Sequence, residues 1–375
     1  MAMVEIAMER KAEPEGVKLP RPEISKTKEV DVVLEEILAR KRTAIKVCGI
    51  GGAGGNTITR MSEVGISGAE LIAMNTDAQD LLCTIADKKI LLGKDVTGGL
   101  GAGADPRIGR EAAKETEPEI KQALQGADMV FITCGLGGGT GTGAAPIVAD
   151  AAKKVGALTV GVVTLPFSME GRVRMQNAIE GLEELQDIVD TLIVIPNDKL
   201  LEIAPDLPLN TAFKVADEIL TNAVKGIAEL VTKPGLINLD FADIRAVMQE
   251  GGVAMIGVGE SDTENRAVES VEKAVTNPLL DVEVSGARGA LINVVGGPSM
   301  TLDEAKEIVQ VVSTKLDENA KIIWGAQISP DMHNTIRVML IITGVQSPQI
   351  FGREQTIAEQ KKKTMQAELG IRFIA

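Results

Sequence analysis

A chain of 375 residues is too long for one ordinary core and predicts two packed domains with tails. Its 45% hydrophobic and 25% charged residues are those of a globular protein, and a formal net charge of −14 excludes general nucleic-acid binding, which needs a basic surface to displace counterions. Six Phe, one Trp and no Tyr leave the core to aliphatic side chains and Met, and no run of 18 apolar residues offers a membrane span, so no direct membrane insertion is expected.

Residues 1–28, which mix Glu, Lys and three prolines, predict a flexible charged leader rather than a signal peptide. Val33, Leu34, Ile37 and Leu38 stand at helical spacing and predict a helix over 29–42. Short apolar runs at 44–49, 69–74, 127–134, 157–164 and 190–195 predict strands, separated by amphipathic helices at 107–124, 143–155 and 171–187. Alternation of near-continuous apolar strands with helices means a parallel sheet covered on both faces, with its ligand beyond the C-terminal strand ends. Residues 209–231 predict one long helix, about 35 Å at 1.5 Å per residue, with Phe213, Ala216, Ile219, Leu220, Val224, Ile227 and Leu230 on its apolar face. A loop at 233–243 runs into another helix, and strands follow near 253–259, 289–295, 321–327 and 335–343, with helices at 263–276 and 301–315. The fold class is therefore α/β: a Rossmann-like sheet domain over 29–208, a central helix over 209–231, a smaller α+β domain over 232–345, and a tail from 346. Cys48, Cys83 and Cys134 show no CxxC spacing, which predicts a reduced, cytoplasmic chain.

The chemistry lies in the glycine loops. Gly49-Ile50-Gly51-Gly52-Ala53-Gly54 follows the first strand and fits G-x-G-x-x-G, with Asp77 23 residues beyond the last glycine. On that loop alone, a Rossmann dinucleotide site and an NAD-dependent oxidoreductase stay open. A second loop, Gly135 to Gly143 (GLGGGTGTG), follows the strand at 127–134. A third, Gly98 to Gly103, precedes the helix that starts near Pro106, and Asn75-Thr76-Asp77 ends another strand. A dinucleotide needs one glycine turn, whereas three such loops on one sheet form a cradle of N–H groups for a triphosphate. The motif G-x-x-x-x-G-K-[ST] is absent, so no P-loop lysine takes part. Nothing inside the cradle is an obvious general base, and the single histidine, His333, falls in the C-terminal part.

The run GGGTGTG at 137–143 resembles the signature of the tubulin/FtsZ family, and the chain is similar to its FtsZ branch, archaeal members in particular. Supporting segments are GGAGGN at 51–56, NTDAQ at 75–79, GLGAGADP at 99–106, PFSMEGRVR at 166–174, IPNDKL at 195–200, FKVADEIL at 213–220 and NLDFAD at 238–243. The resemblance implies the tubulin/FtsZ fold and a GTPase that binds GTP/GDP with Mg²⁺ and polymerises head to tail into filaments of the division ring at mid-cell. It implies that Gly51, Gly52, Ala53, Gly54, Gly55 and Asn56, with Gly138, Gly139, Thr140, Gly141, Thr142 and Gly143, hold the phosphates, Asn56 lying near the base as well. Thr76, Asp77, Ala102 and Gly103 would border the γ-phosphate and Mg²⁺, with no side chain assigned as a direct metal ligand. Glu170 would bind ribose, Arg174 would sit beside ribose and phosphate, Asn197 and Asp217 would read guanine, and Phe213 would stack on the base.

Asn238, Asp240 and Asp243 would enter the next subunit's site and orient the attacking water. Read without the resemblance, Asp240 and Asp243 precede the apolar run IRAVM and also suit a helix N-cap. Asp105 stands where members of the family often carry Asn, an extra carboxylate beside phosphates that must face solvent or metal. The basic patch at Lys361, Lys362 and Lys363 and the tip at 366–375 resemble a C-terminal peptide that meets a membrane-tethering partner. A nucleotide-binding scaffold that assembles without turnover is the remaining alternative.

Overall fold

The computed structural model describes residues 43–203, 209–233, 235–237, 239–249, 251–280, 287–317 and 320–345. The leader at 1–28, the helix expected over 29–42, Asn238 and the tail from 346, including 366–375, lie outside the described residues.

Six strands form the first part of the sheet: β1 (Ile45–Ile50), β2 (Ala69–Asn75), β3 (Lys88–Leu91), β4 (Met129–Gly135), β5 (Leu158–Leu165) and β6 (Thr191–Pro196). They lie in the order 3-2-1-4-5-6, all parallel. This is the doubly wound arrangement, and its apolar strands follow from burial on both faces. The chain winds outward from β1 to β3 and then returns to β4 on the other side of β1. At that reversal Ile50 and Cys134 are register partners, so the C-terminal ends of β1 and β4 open side by side into a crevice.

Four more strands continue the sheet: β7 (Gly252–Ser261), β8 (Gly289–Gly296), β9 (Lys321–Ile328) and β10 (Ile336–Thr343), in the order β7-β10-β8-β9. The β10 strand runs antiparallel to β7 and β8, and β7 meets β6 through a short parallel register from Thr191 with Gly252 to Ile193 with Ala254.

Helices cover both faces. In chain order they are α1 (Gly51–Val64), α2 (Ala78–Cys83), α3 (Lys94–Thr97), α4 (Pro106–Glu115), α5 (Glu117–Leu124), α6 (Thr140–Lys154), α7 (Arg172–Ile188), α8 (Asn197–Ile203), α9 (Leu209–Thr232), α10 (Phe241–Met248), α11 (Arg266–Val275) and α12 (Leu302–Ser313). One core holds Ala112, Ala145, Leu182 and Val271 from α4, α6, α7 and α11; the other holds Ile58, Leu220, Ile227 and Ile244 from α1, α9 and α10. The α9 stripe Ala216, Leu220, Ala223, Val224, Ile227 and Leu230 packs along the second core and so links α1 to β5 and β8.

The single helix expected over 107–124 is two helices in the structure. Thr116 (φ −95°, ψ 6°) ends α4 and begins α5, and Pro118 stands in the first turn of α5. A continuous helix would ask Pro118 for an N–H that it lacks and drive its ring into the preceding turn, so the break falls just before it.

Candidate functional site

The crevice is built from two turns that touch. Gly51, with φ +70°, opens α1, and a Cβ there would stand 3.1 Å from the Gly141 nitrogen and 3.4 Å from Thr140 Cβ. Only a glycine turn lets the β1–α1 corner sit this close to the β4–α6 corner. Neither α1 nor α6 has a side-chain N-cap or an acidic residue in its first turn. Their first N–H groups are therefore free of an internal competitor, and Gly51, Gly52, Ala53, Gly138, Gly139, Thr140 and Gly141 line the crevice. Two helix N-termini converging on one opening favour an anion.

The remaining glycines of the same runs do a different job. A Cβ on Gly54 would stand 2.7 Å from the Thr133 carbonyl oxygen, and one on Gly143 only 1.9 Å from that of Pro106. Gly54 thus brings α1 onto the sheet, and Gly143 brings α6 onto α4. Thr142 is buried and its hydroxyl accepts from the Gly137 N–H at 2.8 Å, which holds the turn in shape. Gly54, Gly55, Thr142 and Gly143 do not line the crevice, and Asn56 is exposed on α1 outside it.

The third loop forms a wall behind the second. Gly101 N–H donates to the Thr76 carbonyl at 3.2 Å, and Ala78 N–H donates to the Gly99 carbonyl at 3.0 Å. Ala102 is buried and meets Gly139, where an added Cβ would lie 2.8 Å from Ala102 Cβ. Asp77 caps α2 by accepting from Gln79 N–H and Asp80 N–H at 2.9 and 3.1 Å. Thr76, Asp77, Ala102 and Gly103 accordingly lie beside the crevice lining rather than in it. Asp105 caps α4 through the Arg107 N–H at 2.9 Å and pairs with the Arg107 guanidinium at 2.7 Å. Those bonds hold its carboxyl below the usual range and turn the charge toward Arg107 and solvent.

The far end of the crevice is lined by Asn197, Phe213, Ala216 and Asp217. Asn197 is 5% exposed, and its buried Oδ1 has no hydrogen-bond partner among the described residues. Asp217 accepts from the Thr57 hydroxyl at 3.2 Å, yet burial outweighs that bond and pushes its carboxyl up to about 6. A carboxylate lining the opening beside an amide with an unmet acceptor suits a ligand that carries donors. Phe213 is 41% exposed, and its ring is fixed edge-on to Phe167 with centroids 5.2 Å apart. Glu170 and Arg174 also line the crevice: Glu170 accepts from the Phe167 N–H at 2.8 Å and pairs with Arg174 Nε at 3.1 Å.

Asp240 and Asp243 lie elsewhere. They form a capping box on α10, with Asp243 N–H donating to Asp240 Oδ1 at 2.7 Å and Asp240 N–H to Asp243 Oδ2 at 3.4 Å, and both are exposed. The α10 helix packs on β8 and β9, five or more strand positions from β4, roughly 20 Å or more across the sheet. The pair therefore cannot reach the crevice of its own chain. His333 is exposed, and among the described residues no cluster of His, Cys, Asp or Glu could hold a metal ion.

Thr57 and Thr164 belong to the site although no motif marked them: Thr57 by its bond to Asp217, Thr164 by lining the crevice at the end of β5. The available signal for Thr57 was its place one turn beyond Ala53 on the same face of α1.

Comparison with known proteins adds a family. The tubulin/FtsZ family GTPase domain matches residues 44–205, and the FtsZ family C-terminal domain matches residues 252–346. The cell division protein FtsZ 1 of Archaeoglobus fulgidus is 58% identical over 354 residues, covering 94% of this chain and 96% of that protein. The cell division protein FtsZ 1 of Methanocaldococcus jannaschii is 63% identical over 317 residues, covering 84% and 87%. A solved structure described as an empty FtsZ dimer from M. jannaschii superposes with a TM-score of 0.81 at 62% identity, covering 86% of this chain and 93% of that one.

Proposed function

This chain belongs to the tubulin/FtsZ family, and from that premise we propose how its own residues bind and cleave GTP. It is a GTPase that forms cell-division filaments, as its similarity to FtsZ proteins supports. The observation that carries the site assignment is the polarity of the crevice. One end presents uncapped helix N-termini without a competing acid, and the other is lined by the Asp217 carboxylate and the buried Asn197 amide.

The triphosphate lies at the first end, on main-chain N–H groups from Gly51 to Ala53 and Gly138 to Gly141. Guanine lies at the second. Its N1–H and exocyclic N–H₂ are donors that a carboxylate accepts together, and adenine presents no such pair, so Asp217 would stay unpaired against the wrong base. Phe213 offers a ring face to the base, and the paired Glu170 and Arg174 lie between, at the height of the ribose. Mg²⁺ fits the donor set only as an ion carried on phosphate oxygens and water, since no acidic cluster among the described residues would hold it; bound there it would neutralise developing charge.

Cleavage requires a second protomer. Because Asp240 and Asp243 are exposed and far from their own crevice, they act on the crevice of the next subunit, where a carboxylate orients water for in-line attack on the γ-phosphorus as the bond to the bridging oxygen of GDP breaks. Donor surface and acceptor surface differ, so the contact is head to tail and does not close. The same reading places the nucleotide-binding part before α9 and the acid pair after it, locates the filament at the division site, and leaves the segment at 366–375 as the contact for a membrane-tethering partner. A dinucleotide oxidoreductase on this strand order is not supported, because the matched family domain is a GTPase. A nucleotide panel tests the site: GTP and GDP bind and ATP and NAD do not, whereas tight NAD binding would overturn it.

A further inference from the structure

Thr76 does not itself line the crevice, yet its hydroxyl is bonded to Thr140, which does. Thr76 is 0% exposed, and its Oγ1 lies 2.6 Å from the Oγ1 of Thr140, the half-buried first residue of α6. No other partner of the Thr76 hydroxyl is present among the described residues. Its carbonyl is tied down as well, accepting from the Gly101 N–H at 3.2 Å and the Thr97 hydroxyl at 3.3 Å. The side chain is thus held in place by its own backbone.

Two hydroxyls so placed can be ordered in two ways. If Thr140 donates to Thr76, the Thr76 hydrogen is left in a buried position without an acceptor, and Thr140 turns only lone pairs toward the crevice. If Thr76 donates to Thr140, its hydrogen is satisfied, and the Thr140 hydrogen is free to point into the opening. The second order avoids a buried orphan and holds before any ligand arrives.

We infer that Thr76 is a positioning residue for the bound phosphate, which fixes the Thr140 hydroxyl as a donor aimed into the crevice by donating its own proton to Thr140 Oγ1. The inference rests on the placement of phosphate at the Gly138–Gly141 turn. A donor preset in this way needs no reorientation when an anion binds, and it adds to the N–H groups one donor whose direction the main chain does not control.

The test compares full-length wild type with Thr76→Val, Thr76→Ser, Thr140→Val and the double variant Thr76→Val/Thr140→Val, titrated with GTP, GDP and guanosine below the concentration of assembly. Thr76→Val keeps the shape and removes the donor, so phosphate-bearing ligands weaken by roughly fivefold while guanosine is unchanged. Thr76→Ser restores the affinity. In the Thr140→Val background the Thr76→Val change costs nothing more, because the hydroxyl it orients is gone. An equal loss in both backgrounds, or an equal loss for guanosine, marks a merely structural effect and overturns the inference. Should Thr76→Val fail to fold, Thr76→Ala against Thr76→Ser is read the same way. Wild type that binds guanosine as tightly as GTP would instead overturn the placement of the phosphate itself, which separates the two failures.

Discussion

Replacing Asp217 with Asn should make the nucleotide-free protein more stable and its grip on GTP much weaker. Burial moves this carboxyl from the ordinary 3.8 to about 6, which corresponds to about 3 kcal/mol against the ionised form. Because the group faces an open crevice, solvent screening reduces this to about 1–2 kcal/mol. The folded state holds the proton more tightly than the unfolded state, so the penalty is complete above about pH 6 and fades as pH falls through 6 toward 3.8. An amide carries no charge and can still accept from the Thr57 hydroxyl. Asp217→Asn is thus expected to melt a few degrees higher at pH 8, with the gain shrinking to nothing near pH 4. The same change replaces one of the two acceptor oxygens with a donor, and GTP affinity should drop by about 2–4 kcal/mol, or roughly 30- to 700-fold. Melting curves without nucleotide between pH 4 and 8, with GTP titration alongside, decide it. A variant that is less stable at pH 8, a gain that does not depend on pH, or unchanged GTP affinity would refute the reasoning.

Other consequences can be checked separately. Gly143→Ala would place a Cβ 1.9 Å from the Pro106 carbonyl oxygen and force α4 off α6, which should cost about 3 kcal/mol, whereas Gly138→Ala meets nothing within 4 Å and should leave the melting temperature within about 1–2 °C. Asp243→Ala gives up only the weak half of its capping box, at 3.4 Å; it should still bind GTP and form filaments in sedimentation, while phosphate release falls to background. Burial pushes the Cys48 and Cys134 thiols up to about 12 and leaves Cys83 exposed, so a thiol reagent at pH 8 should titrate one cysteine in the native chain and three after denaturation.

Much of the sheet was legible because its strands are apolar on both faces: MVFITC and LTVGVV admit few other readings. β3 escaped notice for the opposite reason. It has four residues, it lies at the sheet edge, and only Ile90 in it is buried, so it carries no apolar run that marks a strand. The short helices α2, α3 and α8 span too few residues for a 3.6-residue period to register. Within the site, motif spacing marked both glycine turns and the family resemblance pointed to Asn197 and Asp217, but neither could separate glycines that line the crevice from those that permit close packing. Gly138 and Gly143 stand five residues apart in one run; the first meets open space and the second a carbonyl of another helix, a difference that exists only in three dimensions. Thr57 was silent because a threonine inside a helix ordinarily bonds to the carbonyl four residues back, and this one does that with Ala53 at 3.0 Å as well.

The central claim is that one subunit holds GTP while its neighbour supplies the acid pair. Phosphate release per molecule, measured across a dilution series with sedimentation at each point, tests it most directly. The account predicts turnover close to zero where the protein sediments as a monomer, rising more than linearly as filaments appear. Full-rate hydrolysis by dilute protein that never assembles would contradict it.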